Sequence, residues 1–209
     1  MSRQSLAGVD DGPRSKRAAI LAAATTQFGE IGYEATKWSD VAQTVGIGQT
    51  ALYHYFESKA HCLLTIMRLG LLQAEEQFHS AVESAGTPTE ALQAAVRSAY
   101  AMSDSEALQS RILQANIALL SSPRHSAREE AERVACRELV TRVERNWVAL
   151  LERGRAAGEF PRRDPLILAR AVLGLIVSVW RWYRPDGPMT LSQVAEFIEG
   201  CCTRMVRDE

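Results

Sequence analysis

From Pro13 onward, apolar residues return every third or fourth position, and nowhere do they alternate with period two over a useful length. That spacing lines one face of an α-helix and is unlike a half-buried strand, so the chain is expected to be all-α. The punctuation agrees. Pro13 opens a run to about Glu30, with Ala18, Leu21, Ala22, Thr25 and Phe28 at helical spacing and Gly32 ending it. Short helices are expected over 37–45, with Thr36 as N-cap, and over 49–55. Ser58 caps a long helix to about Ser84, and Thr87-Pro88-Thr89-Glu90 is a capping box starting another to about Met102. Further runs cover roughly 104–120, 125–157 and 165–184, and Thr190 with Gln193 boxes the last helix. Residues 1–12, with Asp10-Asp11-Gly12 and no apolar period, are expected to be a disordered leader.

Within this pattern, residues 32–59 carry the sharpest signal. Ala42, Val45, Ile47, Leu52 and Phe56 are placed to pin two short helices together, and Gly46 sits where the chain turns. Two helices so joined form a helix-turn-helix, whose second helix enters the DNA major groove. What remains outward on it is Gln49, Thr50, Tyr53 and His54, side chains able to hydrogen-bond base edges and phosphates. Charge argues the other way. The chain carries a net −1, and within 1–61 the cations Arg3, Arg14, Lys16, Arg17, Lys37 and Lys59 are balanced by Asp10, Asp11, Glu30, Glu34, Asp40 and Glu57. Any basic footprint must therefore be local, although helix N-termini and hydroxyls also hold phosphates. Modest affinity per subunit is expected, with dimerisation supplying the remainder.

The remaining residues exclude more than they assign. Cys62, Cys136, Cys201 and Cys202 form no CxxC pair, and His54, His61, His79 and His125 have no metal-ligand spacing, so no metal or cofactor is expected. With no signal peptide at the N-terminus, a reducing cytoplasm is the expected location. Cys201–Cys202 reads more simply as packing than as a redox pair. Residues 166–182 are apolar on nearly every side, but Arg170 and Arg181 interrupt a membrane span. Burial on two faces explains the run better, one face on its own subunit and one on a partner. A two-fold dimer built from the C-terminal helices, of four-helix-bundle type, is the expectation.

At the level of whole motifs, Gly32-Tyr33-x-x-Thr36, Val41-Ala42-x-x-Val45-Gly46-Ile47 and Leu52-Tyr53-His54-Tyr55-Phe56-x-Ser58-Lys59 resemble the signature of tetracycline-repressor-type (TetR/AcrR) transcriptional regulators. The resemblance covers about residues 14–64; beyond it only the architecture agrees. It implies an N-terminal three-helix DNA-binding domain (13–57) and a helical effector-binding and dimerisation domain (58–209). It also implies a homodimeric regulator, as a rule a repressor, released from a palindromic operator by a small molecule. Carried over by position, Gln49, Thr50 and Ala51 would face bases, and Tyr53 and His54 phosphates or base edges. Lys59, the Thr36 hydroxyl and Lys37 or Ser39 would hold phosphates. Gly48 departs from the pattern, since many relatives cap the reading helix with serine there; glycine costs only a few tenths of a kcal/mol.

The segment Trp180 to Pro188 is also similar to the end of the penultimate helix in a branch governing fatty-acid, steroid and acyl-CoA catabolism, which implies a hydrophobic or acyl-CoA-type effector. Pro185-Asp186-Gly187 is equally ordinary turn chemistry. Candidate pocket residues are Tyr100, Met102, Arg111, Asn116, Asn146, Trp147 and Trp180, which mix aromatic and polar groups within apolar helices. An all-α enzyme without recognisable motif and an effector-independent DNA-binding dimer are the alternatives. Against the enzyme stand the lack of a Gly-rich phosphate loop, of HExxH and of a nucleophile with an evident base.

Overall fold

In the computed structural model the protein is described over residues 13–207, so the expected leader lies outside the described residues. The described residues form nine α-helices and a short 3₁₀ turn, with no strand among them. In order they are α1 (Pro13–Glu30), α2 (Trp38–Val45), α3 (Gln49–Tyr55), α4 (Lys59–Glu83), α5 (Pro88–Ser98), α6 (Asp104–Asn116), the 3₁₀ turn Ile117–Ser121, α7 (Ala127–Ala156), α8 (Pro165–Trp182) and α9 (Leu191–Met205). Most helices start on a cap legible in the chain. The Ser58 hydroxyl accepts from the His61 N–H, and the Thr87–Glu90 and Thr190–Gln193 boxes are closed in both directions.

Two elements differ from expectation. Thr36 does not cap α2: Lys37 takes the N-cap position with extended backbone and no side-chain bond. The Thr36 hydroxyl instead points to the Gly32 carbonyl at 2.8 Å and the Gln27 carbonyl at 3.2 Å. The Thr36 N–H also donates to the Gly32 carbonyl at 3.2 Å, so residue and turn are closed on one another. The second difference is between residues 98 and 121. Here α5 stops early because Ser103 and Glu106 form a capping box of their own, and α6 gives way to the 3₁₀ turn after Asn116. Asn116 Nδ2 donates to the Ile112 carbonyl, filling an acceptor that helix end leaves open.

The axis of the molecule is a pair of long helices. Arg68 meets Glu132, Glu75 meets Arg142 and His79 meets Asn146, so α4 and α7 advance together and run parallel. Two apolar cores flank them. One gathers Ile20 and Phe28 of α1, Leu52 and Phe56 of the helix-turn-helix, Leu63 and Met67 of α4, Ile112 of α6 and Leu139 of α7. The other gathers Leu92, Tyr100, Trp147, Leu151, Val172, Trp180 and Ile198. The N-terminal helices therefore close their core on the first half of α4 and on α6 and α7.

Helix α8 is long and apolar enough to cross a membrane. Leu168, Val172, Ile176 and Val179 bury one side of it in the second core, and its Arg170 pairs with Glu144 of α7 at 2.9 Å. It packs as a core helix with one open side.

Candidate DNA-reading surface and effector cavity

The turn between α2 and α3 is built on Gly46, which ends α2 at φ 70° and donates its N–H to the Ala42 and Gln43 carbonyls. A left-handed residue with a side chain is strained, so glycine fits where the chain reverses. Leu52 and Phe56 are fully buried and Val45, Ile47 and Tyr55 pack partly buried against the same core. That fixes which side of α3 faces out: Gln49, Thr50, Tyr53 and His54 are exposed, and Ala51 is half-buried between them. At the start of α2, Lys37 and Ser39 are exposed, with the Ser39 hydroxyl donating to the Asp40 carboxylate at 3.2 Å.

Two expected phosphate contacts are corrected by the packing. Thr36 is 2% exposed and its hydroxyl is spent on backbone carbonyls. Lys59 turns inward, donating to the Tyr33 carbonyl at 2.7 Å and the Thr36 carbonyl at 2.9 Å, with its ammonium 4.3 Å from the Tyr33 ring centroid. Both residues fasten the α1–α2 turn to the start of α4. An ammonium facing two carbonyls and an aromatic face has its strongest partners within the chain.

A second junction was not foreseen from the sequence. The N-caps of α4 and α7 lie side by side, and each serine hydroxyl donates a hydrogen bond to a carboxylate across the gap. Ser58 donates to Glu129 at 2.5 Å, and Ser126, which accepts from the Arg128 and Glu129 N–H groups, donates to Glu57. Arg124 adds an ion pair to Glu129 at 3.0 Å. Burial alone would raise the Glu129 pKa, but the hydrogen bonds from Ser58 and Arg124 outweigh it and hold the carboxyl below its ordinary range. His61 packs edge-on to Phe56, and desolvation lowers its pKa against the opposing pull of Glu57. This polar seam joins the reading helices to both long helices at once. Only its caps, Ser58 and Ser126, had a local signal; their pairing depends on residues about seventy positions apart.

Farther along the same helices a cavity of about 140 Å³ opens among α4, α5, α6, α7 and α8. Phe78, Ala95, Ala99, Met102, Trp147, Leu173 and Ile176 make it apolar, while Gln77, Gln109, Gln114 and Asn146 line its polar side. Four of the expected pocket residues, Met102, Asn146, Trp147 and Trp180, meet here. Tyr100 does not: it is buried in the core, where its hydroxyl donates to the Ile176 carbonyl at 2.9 Å. Arg111 and Asn116 lie instead in a separate open groove, with Arg181 and Arg184 of the α8 end and the α1–α2 turn. Trp180 and Gln114 border both spaces. The glutamines were missed because glutamine on a helix has no periodic signature; only neighbouring helices make it a lining residue.

On the opposite side of α8, Ile167 is 67% exposed and Trp182 50%, and Phe197 of α9 is 60% exposed. These large apolar side chains are left uncovered on α8 and α9 within the single subunit. Cys202 is buried, which pushes its thiol up to about 12, so it behaves as a packing residue.

Comparison with known proteins agrees with this architecture. Residues 20–66 match the family described as bacterial regulatory proteins, tetR family, and residues 85–206 match the tetracyclin repressor-like C-terminal domain. The transcriptional repressor KstR2 of Mycolicibacterium smegmatis is 30% identical over 88% of this chain and 87% of its own length. Among solved structures, the ketosteroid transcriptional regulator KstR2 of Mycobacterium tuberculosis superposes with a TM-score of 0.78 at 26% identity, covering 97% of this chain and 98% of its own. PfmR, a TetR family regulator from Thermus thermophilus, does so with a TM-score of 0.74 at 31% identity, covering 88% and 97%. AibR, solved with isovaleryl coenzyme A and operator DNA, shares the fold with a TM-score of 0.76 at 24% identity over 89% of this chain and 97% of its own. KstR2 and PfmR are transcriptional regulators, and the helix-turn-helix above is set in the same frame: the chain belongs to the TetR family of DNA-binding transcriptional regulators.

Proposed function

We propose that this regulator is a cytoplasmic homodimeric repressor that leaves its operator when a small acyl thioester binds. Residues 13–57 are the reading unit and 58–209 the effector and dimerisation unit. The observation that carries the reading is the open face of α3, where Gln49, Thr50, Tyr53 and His54 stand exposed on a helix whose other face is fully buried. Glutamine pairs bidentately with adenine, and the Ala51 methyl suits contact with thymine. Lys37 and Ser39 are placed for flanking phosphates, whereas Thr36 and Lys59 position the turn. The uncovered faces of α8 and α9 supply the two-fold contact, giving two reading helices spaced about 34–36 Å, or a multiple of that, on a palindrome.

The effector is read from the order of chemistry beside Trp180. An apolar cavity, a carboxamide side and an arginine-bearing groove follow one another, and Trp180 and Gln114 belong to both spaces. An acyl chain, the amides of pantetheine and a nucleotide's phosphates present the same sequence of groups. A bound ligand presses on α4 near Gly70–Phe78 and on α7 near Val143–Trp147, both of which end at the Ser58–Glu129 and Ser126–Glu57 seam. That lever is roughly 20–30 Å long, so a tilt of about 5° displaces the reading unit by about 2 Å, enough to spoil half-site spacing. The ligand does this only by favouring the released conformation energetically. The presence of a cavity supports this reading over an effector-independent dimer.

The test is binding to the DNA upstream of the gene by fluorescence anisotropy, across salt concentrations, with and without coenzyme A thioesters. Gln49→Ala is expected to weaken operator binding by about 5- to 150-fold, and thioesters to release the wild type. Undiminished affinity in a Gln49→Ala/His54→Ala double variant would remove the reading face from the mechanism.

A further inference from the structure

Resting on the acyl-thioester reading, we infer that the cavity selects short acyl groups, and that Met102 and Ala99 set the limit. A cavity of about 140 Å³ is available, and an apolar space of about that size accommodates roughly six carbon atoms, as benzene in an engineered protein cavity shows. A fused-ring steroid nucleus needs roughly three times that space, and a long fatty chain exceeds it as well. One wall is packed from behind: Phe78 and Trp147 meet with ring centroids 5.0 Å apart, and both are buried in the core. Behind Trp180, Tyr100 backs the indole with a ring contact of 5.8 Å and a hydroxyl anchored on the Ile176 carbonyl.

The adjustable wall lies on the other side. Met102 follows the end of α5, partly buried, and its sulfur accepts from the Ser110 hydroxyl at 3.8 Å. It stands between the cavity and a smaller polar cleft lined by Gln73, Glu106 and Gln109, so shortening it extends the cavity into that cleft. Ala99, at the C-cap of α5, lines the cavity with a single methyl, so a larger side chain there fills it. Selectivity thus resides in the α5–α6 connection, where the chain stops one helix and starts the next on the Ser103–Glu106 box.

Calorimetric titration of the full-length protein with coenzyme A and its acetyl, butyryl, isovaleryl, hexanoyl, octanoyl and palmitoyl thioesters tests this. Affinity is expected to rise about fourfold per buried methylene up to roughly six carbons and to fall by about tenfold for longer chains, which overpack the site. Met102→Ala should move the optimum about two carbons longer, and Ala99→Leu should move it shorter. Should Met102→Ala fold poorly, Leu173→Ala, which also truncates a lining side chain, provides the same enlargement. Tightest binding by octanoyl or palmitoyl thioester in the wild type, or an optimum unmoved by these substitutions, overturns the size limit while leaving the acyl-thioester reading intact. Binding of no thioester at all removes both.

Discussion

The two ends of α4 solve opposite problems. At its start, the reading face rests on a fully buried base: Leu52 and Phe56 have no exposed surface, and Arg17 lies 4.6 Å above the Phe56 ring. Farther along the helix, the proposed effector site is a place where the core is not filled, and about 140 Å³ is left between Phe78, Trp147 and their neighbours. A surface that must present hydrogen-bonding groups in fixed register needs a rigid base, whereas a site that must register a ligand needs room and walls able to shift. Between them, α4 and α7 run parallel and are fastened at the DNA end by the paired serine caps. The proposed mechanism depends on that asymmetry, a buried reading base joined to an incompletely packed cavity.

The contrast breaks most visibly at Phe56. Phe56→Ala is expected to cost about 3–5 kcal/mol, because the truncated ring leaves a cavity that the surrounding helices fill only in part. Chemical denaturation should show the loss, together with loss of operator binding. An equally large loss on truncating Met102, which borders space already empty, would contradict the difference in packing between the two ends.

The seam provides a finer test. Ser58→Ala and Ser126→Ala each remove an N-cap, at about 1 kcal/mol apiece. Each also severs a bond to the other helix, so the double variant should depart from additivity and effector-induced release should weaken. Equal release by wild type and double variant, measured at matched operator occupancy, would show that the signal travels elsewhere.

The smallest effect expected is on pH dependence. Because the folded protein holds Glu129 below its ordinary range, its contribution is present above the unfolded-state pKa near 4.5 and is lost as pH falls through the lower folded value. Thermal unfolding of wild type should therefore lose stability on acidification through that window, and Glu129→Gln should show a shallower slope. Parallel slopes would mean that the carboxylate is not held by the seam.

The same division governs how much could be read in advance. The helix-turn-helix was legible residue by residue, since Gly46, the buried apolar set and the outward Gln49 to His54 follow from local periodicity and one turn. Most caps were legible too. Thr36 and Lys59 were assigned outward because their chemistry suits phosphate, and the structure turns both inward to carbonyls that only become neighbours when α1, α2 and α4 pack. Tyr100, Arg111 and Asn116 were chosen for being unusual on apolar helices, but a helical wheel does not say which neighbouring helix faces them.

Local chemistry in the chain is thus sufficient for the all-α class, most helix starts, the tight turn at Gly46 and the exposed face of α3. Those depend on interactions within a few residues, where backbone geometry and side-chain type act directly. The parallel setting of α4 and α7, the exchange of caps at their origin, the inward turn of Lys59 and the space beside Trp180 were decided only by tertiary packing. Each is set by residues from several helices meeting at once, and the volume left between packed helices depends on all of their side chains together.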